Sequence, residues 1–244
     1  MKLLLLAGTR EAREVASWLE RSGVAAIASF AGVTRAPELP RIETRIGGFG
    51  GEAGFRAFVE AEGVTHILDA THPFAARISA RTARLAGALG LGYRQLLRPP
   101  WEPQLGDDWH PIACEEDAAT IIEAGARVFL ATGRQTLRRF HGLSGCHLIC
   151  RQIDPPEKPF PFPNGRYLVG RPPFSVADER ALFTRLEIDW LVVKNAGGAA
   201  SATKLTAARE LGLSVAVIAR PPQPAGPKAA SVEEAVAWIK DQIT

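Results

Sequence analysis

A chain of 244 residues, 46% hydrophobic and 23% charged, has the make-up of an ordinary soluble globular protein with room for one large or two small domains. No stretch approaches the roughly 18 consecutive apolar residues that a membrane span needs. The short apolar start at residues 3–7 meets charge at once and does not fit a secretory signal, so a cytoplasmic location without a membrane partner is expected. The formal net charge of +3 is spread along the chain. Without a basic patch interleaved with aromatics it argues against nucleic acid and suits a small anionic ligand.

Four consecutive leucines, Leu3 to Leu6, read as a strand buried on both faces of a parallel sheet. The run stops at Ala7-Gly8-Thr9-Arg10, and Ala12, Val15, Ala16 and Leu19 follow at helical spacing. Small residues at such a turn let backbone N–H groups approach a phosphate, and a helix N-terminus adds a positive dipole end. This is a β–turn–α unit without the full G-x-G-x-x-G fingerprint. Gly23 reads as the helix C-cap, and residues 25–31 as a second strand leading to Thr34 and Arg35. In a dinucleotide fold the second turn meets the adenosine ribose, where an acid favours a free 2′-hydroxyl and an arginine a 2′-phosphate. With Thr34 and Arg35 there and no acid, NADP is favoured over NAD.

A third strand, residues 42–46, runs into Gly47-Gly48-Phe49-Gly50-Gly51 and a helix through Phe55, Phe58 and Val59. Residues 48–53 match G-x-G-x-x-A but follow the third strand, so they read as a loop near the cofactor. A fourth strand, residues 66–68, ends in Asp69-Ala70-Thr71-His72-Pro73-Phe74-Ala75, the kind of strand end where open α/β sheets keep their sites. Arg77, Arg81 and Arg84 then form a basic stripe on the next helix, whose plainer reading is a solvated face. A fifth strand, residues 93–97, gives way to a proline-rich linker around Trp101.

The second half resembles the first. A helix near residues 116–123 precedes a strand from Val128 and the turn Thr132-Gly133-Arg134. Strands follow at residues 148–153, 166–169, 190–193 and 215–218. Ser175, with Asp178 at the third helical position, caps one helix; Ser231 with Glu234 opens the last. Another helix is expected over residues 201–211. Gly8 to Asp69 spans 61 residues, as does Gly133 to Lys194. These features predict an α/β protein of two Rossmann-like halves with mainly parallel sheets, an internal duplication divided into residues 1–112 and 113–244.

Several chemistries are absent: there is no P-loop, no G-x-S-x-G elbow, no Tyr–Lys pair at a spacing of four and no H-x-x-x-H. Cys146 and Cys150 would lie roughly 13 Å apart along a strand, too far to share a metal. With Cys114 they read as structural thiols, and no metal site is expected. What remains is a set of turns carrying Arg10, Arg35, Arg134 and Arg171, with His72, Lys194 and Lys204 near them. Such turns could hold a dinucleotide and a polyanion, but offer no obvious nucleophile or acid–base pair. In nicotinamide reductions the cofactor supplies the hydride and the protein supplies geometry and charge.

Gly8-Thr9-Arg10-Glu11-Ala12-Arg13, the segment from Asp69 to Ala75, Arg171-Pro172-Pro173-Phe174-Ser175 and Lys194-Asn195-Ala196-Gly197-Gly198 recur in order along nearly the whole chain, with Thr203-Lys204-Leu205 and Ala219-Arg220-Pro221. In these motifs the chain resembles the precorrin-6A reductase family of cobalamin biosynthesis. The resemblance implies NADPH-dependent reduction of an anionic tetrapyrrole, precorrin-6A, to precorrin-6B, and leaves open a cobalt-containing substrate. The rival from another class is a non-catalytic NADP-binding sensor on the same turns. Expected cofactor contacts are Gly8, Thr9, Arg10, Thr34, Arg35, Thr71, His72, Thr132, Gly133, Arg134, Asn195, Gly197 and Gly198. Expected substrate contacts are Phe74, Arg77, Arg171, Phe174, Ser175, Lys194 and Lys204, since arginine forks fit the carboxylates that such a macrocycle is implied to carry. His72 and Lys204 are candidates for steadying charge or moving a proton, and a monomer is the expected assembly.

Overall fold

The computed structural model describes residues 1–32 and 40–243. In chain order its strands are β1 (Leu3–Leu6), β2 (Ala26–Phe30), β3 (Glu43–Ile46), β4 (His66–Asp69), β5 (Gly92–Leu96), β6 (Asp108–Ile112), β7 (Arg127–Leu130), β8 (His147–Gln152), β9 (Gly165–Val169), β10 (Trp190–Lys194), β11 (Ser214–Ile218) and β12 (Lys228–Ala229). The α-helices are α1 (Arg10–Ser22), α2 (Gly51–Ala61), α3 (Ala76–Ala88), α4 (Val176–Leu186), α5 (Thr203–Leu211) and α6 (Val232–Ile243).

The strands form two six-stranded sheets, ordered β3-β2-β1-β4-β5-β12 and β9-β8-β7-β10-β11-β6. Every neighbouring pair is parallel. The first five strands of each half follow the 3-2-1-4-5 order of a dinucleotide-binding fold, so the expected pair of Rossmann-like halves is present. The four leucines of β1 are fully buried because sheet neighbours lie on both sides and helices cover both faces. One face packs on α1 and α6 through Val15, Leu19 and Ile239, and the other through Phe55 and Leu85.

The sixth position of each sheet is filled from the other half of the sequence. β6 follows β5 along the chain yet pairs with β11, and β12 follows β11 yet pairs with β5. The division is therefore not the single cut expected after residue 112. One compact unit comprises residues 1–99 and 221–244, the other residues 100–220. Neither exchanged strand was expected from sequence. β12 has two residues, and β6 reads Asp-Trp-His-Pro-Ile, which lacks the uninterrupted apolar signature of a buried strand.

Register also corrects the equal spacing between turns. Leu6 lies opposite Asp69, and Leu130 lies opposite Val192. The counterpart of Asp69 is thus Val192, two residues before Lys194. The duplication stands on strand order, not on that interval.

The first helical segment differs between the two halves. Thr9 caps α1, accepting from the Ala12 N–H at 3.1 Å. In the second half threonine and glycine are reversed, and Gly133 stands at the cap position with no side chain to offer. The segment Arg134–Leu143 is 3-10 rather than α-helical, broken at Phe140, and still buries Leu137, Phe140 and Leu143. The helix expected near residues 116–123 is only the 3-10 stretch Glu116–Thr120, and the one expected over residues 201–211 is α-helical from Thr203, after the 3-10 stretch Ala199–Ser201.

Candidate functional site

In the first unit the carboxyl ends of β1 and β4 bring Gly8, Thr9, Arg10, Thr71 and His72 to one edge of the sheet, beside the N-terminus of α1. Gly8 holds φ at +145°, and a Cβ there would meet nothing within 4 Å beyond its chain neighbours, so no other part of the chain fills the space beside the turn. Thr9 is buried, and its hydroxyl also donates to the Ala70 carbonyl at 2.9 Å. It builds the turn instead of presenting a free hydroxyl. Arg10 is exposed and pairs with Glu14 at 2.8 Å.

A buried carboxylate organises the second turn. Asp69 accepts from the Thr71 N–H at 3.1 Å, the Thr71 hydroxyl at 2.7 Å and the Tyr93 hydroxyl at 3.1 Å. Thr71 Oγ1 also lies 3.2 Å from Ser79 Oγ. Burial and the Asp69 charge push the Tyr93 phenol well above its usual range, so it stays a hydrogen-bond donor. The Phe74 N–H donates to His72 Nδ1 at 3.2 Å, which places the proton of a neutral ring on Nε2. Gln223 holds the same turn from another side, donating to the Pro73 carbonyl at 2.9 Å. Arg77 is exposed on α3, and the expected stripe is partly engaged, since Arg84 pairs with Glu52. Thr34 and Arg35 lie outside the described residues.

In the second unit Thr132, Gly133 and Arg134 follow β7, and Lys194 ends its neighbour β10. Two of the expected ligand contacts also have partners within the protein. Lys194 pairs with the buried Glu115 at 3.3 Å and donates to Thr136 at 3.1 Å, while Arg139 closes on Glu115 at 2.6 Å. Asn195 clamps the backbone of Trp101 reciprocally, accepting from its N–H at 2.8 Å and donating to its carbonyl at 3.0 Å. The Trp101 indole N–H donates to the Gly198 carbonyl at 3.0 Å, so the Asn195–Gly198 stretch anchors the linker. Ser175 is likewise taken up by the capping box of α4.

A concavity of this unit lies at the carboxyl ends of β7, β8 and β9, on the α4/α5 face, with a volume of about 180 Å³. It is lined by Arg151, Gly170, Phe174, Glu179, Ser201 and Lys204 among others. Arg151 and Glu179 form a buried bidentate pair at 2.7 and 2.8 Å, and the guanidinium stacks 4.3 Å from the Phe174 ring. Burial, with the Arg151 charge beside it, pushes the Lys204 ammonium down to about 8. Arg171 is not among the lining residues; it is exposed, 3.6 Å from Asp154.

Arg151 and Glu179 were missed by sequence reasoning, although a signal exists. Glu179 stands on the same helical stripe as Phe183 and Leu186, and a glutamate there demands a buried partner. Among the described residues, no three His, Cys, Asp or Glu side chains gather closely enough to hold a metal ion.

A family model described as "Precorrin-6x reductase CbiJ/CobK" matches residues 2–240. The chain belongs to this family. It is 43% identical to a protein of Rhodobacter capsulatus named precorrin-6A reductase, over 98% of this chain and 96% of that one. It is 44% identical to a protein of the same name from Rhodococcus erythropolis, over 98% and 97%. A protein of Priestia megaterium named cobalt-precorrin-6A reductase is 29% identical over 98% of each. A solved structure titled CobK precorrin-6A reductase superposes with a TM-score of 0.95 at 42% identity, covering 99% of this chain and 96% of that chain. An oxidoreductase built on two Rossmann-like halves is therefore what the family and the fold agree on. Among the described residues, no helix of this reductase-family chain is long and apolar enough to cross a membrane.

Proposed function

We propose that the protein reduces precorrin-6A to precorrin-6B with NADPH as the reductant. The observation that carries this reading is the near full-length identity of 43 and 44% to proteins named precorrin-6A reductase. Relatives named for the cobalt form are more distant, at 29% for the first of them, which favours the metal-free substrate.

The first unit fits the dinucleotide better than the second. Its Gly8-Thr9 turn feeds a capped α-helix of 13 residues, whose first-turn N–H groups and dipole favour a pyrophosphate. The equivalent turn of the second unit opens an uncapped, broken 3-10 segment with a much weaker aligned dipole. NADPH, when bound, supplies the hydride. Gly8 and the first turn of α1 would hold its phosphates, and Arg10 would add charge at the rim. The Asp69–Thr71 network keeps the neighbouring turn in one conformation. The second unit, with its cationic pocket, is assigned to the tetrapyrrole.

The test is anaerobic oxidation of NADPH, followed by absorbance, with precorrin-6A, with its cobalt form and with no tetrapyrrole. Turnover with precorrin-6A, faster with NADPH than with NADH, is expected. Tight NADPH binding without oxidation in any mixture would make the protein a sensor instead.

A further inference from the structure

The chain returns to the first unit at Pro221, and the stretch from there to β12 is a stiff arm. Pro221, Pro222, Pro224 and Pro227 each fix one backbone angle in it. Its far end is anchored on β5, where the Gln95 N–H donates to the Pro227 carbonyl at 3.2 Å and the Leu97 N–H to the Ala229 carbonyl at 2.8 Å. Lys228 ties the arm to itself, donating to the Pro224 carbonyl at 3.0 Å. Gln223 projects from the middle of this arm.

The whole amide of Gln223 is engaged. Nε2 donates to the carbonyls of Pro73 at 2.9 Å and Pro221 at 2.8 Å, and Oε1 accepts from Gln95 Nε2 at 3.0 Å. Two carbonyl acceptors fix which way round the amide sits, since its oxygen in that place would face two oxygens. Gln95 is 4% exposed, and its own Oε1 has no partner among the described residues. Leaving a buried acceptor unpaired costs free energy, so the orientation of Gln95 is set by the bond it makes to Gln223.

The bond to Pro73 reaches beyond the backbone it holds. The Pro73 carbonyl and the Phe74 N–H belong to one planar peptide and point to opposite sides of it. That N–H donates to His72 Nδ1 at 3.2 Å, and the His72 and Phe74 rings lie 5.8 Å apart. Holding the carbonyl therefore aims the N–H at the ring and keeps Nδ1 an acceptor. A neutral imidazole has one protonated nitrogen, so the proton is left on Nε2. Asp69 fixes the start of this turn through Thr71; Gln223 fixes its second half.

We propose that Gln223 is a positioning residue for His72: through the Pro73–Phe74 peptide it holds the imidazole in the Nε2–H tautomer and in one orientation. The proposal rests on the reading of the Thr71–Phe74 turn as part of the NADPH site, where a fixed ring can steady charge or hand over a proton.

Gln223→Met keeps the side-chain length without a polar group, and Gln223→Glu turns a carboxylate toward both carbonyls. Val59→Ala, a core truncation near the far end of α2, serves as a destabilised control. The ring-nitrogen resonances of the five histidines are recorded by NMR at about pH 8, where a histidine is ordinarily neutral. His72→Gln identifies which of them belong to His72. Single-turnover NADPH oxidation with precorrin-6A and urea unfolding are measured on the same proteins. Wild type should show His72 as the Nε2–H tautomer alone. Both Gln223 variants should shift it toward a mixture of tautomers and slow the hydride step roughly tenfold. Val59→Ala should lose stability with neither change. His72 resonances unmoved in both Gln223 variants, or a mixed tautomer in wild type, would overturn the proposal. A slower hydride step with unmoved resonances would overturn it too, since Gln223 would then act on the fold alone. Resonances that move while wild type fails to oxidise NADPH with precorrin-6A uphold the positioning and sink the functional reading instead.

Discussion

Thr9 Oγ1 donates to the Ala70 carbonyl at 2.9 Å, so one buried hydroxyl joins the start of α1 to the end of β4. The same oxygen accepts from the Ala12 N–H. Thr9→Val keeps the volume but loses both bonds. The lost cap costs about 1 kcal/mol, and the buried carbonyl left unpaired adds about 1–3 kcal/mol. Urea denaturation should show Thr9→Val destabilised by ~2–4 kcal/mol and Thr9→Ser close to wild type. NADPH affinity should fall more in the valine variant than in the serine one. Equal stability of the two variants would remove the hydroxyl from this role.

The same threonine marks what the sequence made legible and what it concealed. β1, β4, β7 and β10 announce themselves as short apolar runs followed by small polar turns, because strands buried on both faces tolerate nothing else. The two-half architecture follows from repeating that signature. The exchange of β6 and β12 was hidden, since short edge strands carry little pattern and pairing across a long interval leaves no local trace. Of the site, the turns at Gly8 and Thr71 were readable as places. The jobs of individual side chains were not. Asn195 and Lys194 have partners in Trp101, Glu115 and Thr136 that are brought close only by the fold. Arg151 and Glu179 are 28 positions apart and pair only once β8 and α4 pack.

Gly54 lies inside α2, where replacing glycine by alanine ordinarily stabilises a helix by up to about 1 kcal/mol. Here a Cβ would sit 1.8 Å from the Phe49 carbonyl oxygen, a backbone atom that cannot swing aside. Phe49 is itself fixed, packing edge-on against Phe55 and Phe58 beneath the Arg45 guanidinium. Gly54→Ala should therefore destabilise the protein by about 1–3 kcal/mol, as overpacking does. A melting temperature equal to or above wild type would show that the loop at residues 47–51 yields freely.

Removing one partner of the Arg151–Glu179 pair leaves the other charge buried. Glu179→Ala should cost about 3–5 kcal/mol, whereas the double variant Arg151→Met, Glu179→Leu should recover most of it, since an apolar pair of similar volume removes both desolvation costs. The wild-type pair need not be the most stable filling of that space; it shapes the pocket that holds Phe174. Equilibrium unfolding of the three proteins decides this. A double variant no more stable than Glu179→Ala would show that the apolar pair does not relieve the buried charges.

Lys204 carries a pH signature of stability. Its ammonium titrates at about 8 in the folded protein, against 10.5 for an unperturbed lysine, because burial and the Arg151 charge outweigh the attraction of Glu179. Between these two pH values the unfolded chain holds a proton that the folded protein has released. Stability rises with pH wherever the unfolded state binds more protons, so this residue's contribution improves from pH 8 to 10.5 and is flat on either side. Lys204→Met has no such proton. At pH 7 the methionine variant should be the more stable of the two, and its advantage should shrink as pH climbs from 8 toward 10.5. Other groups that titrate in that window are common to both proteins and cancel in the difference. Unfolding free energies of the pair at pH 7, 8, 9 and 10 measure it directly. A difference that stays constant across the series would show that Lys204 keeps its proton in the folded protein, well solvated at the rim of the pocket.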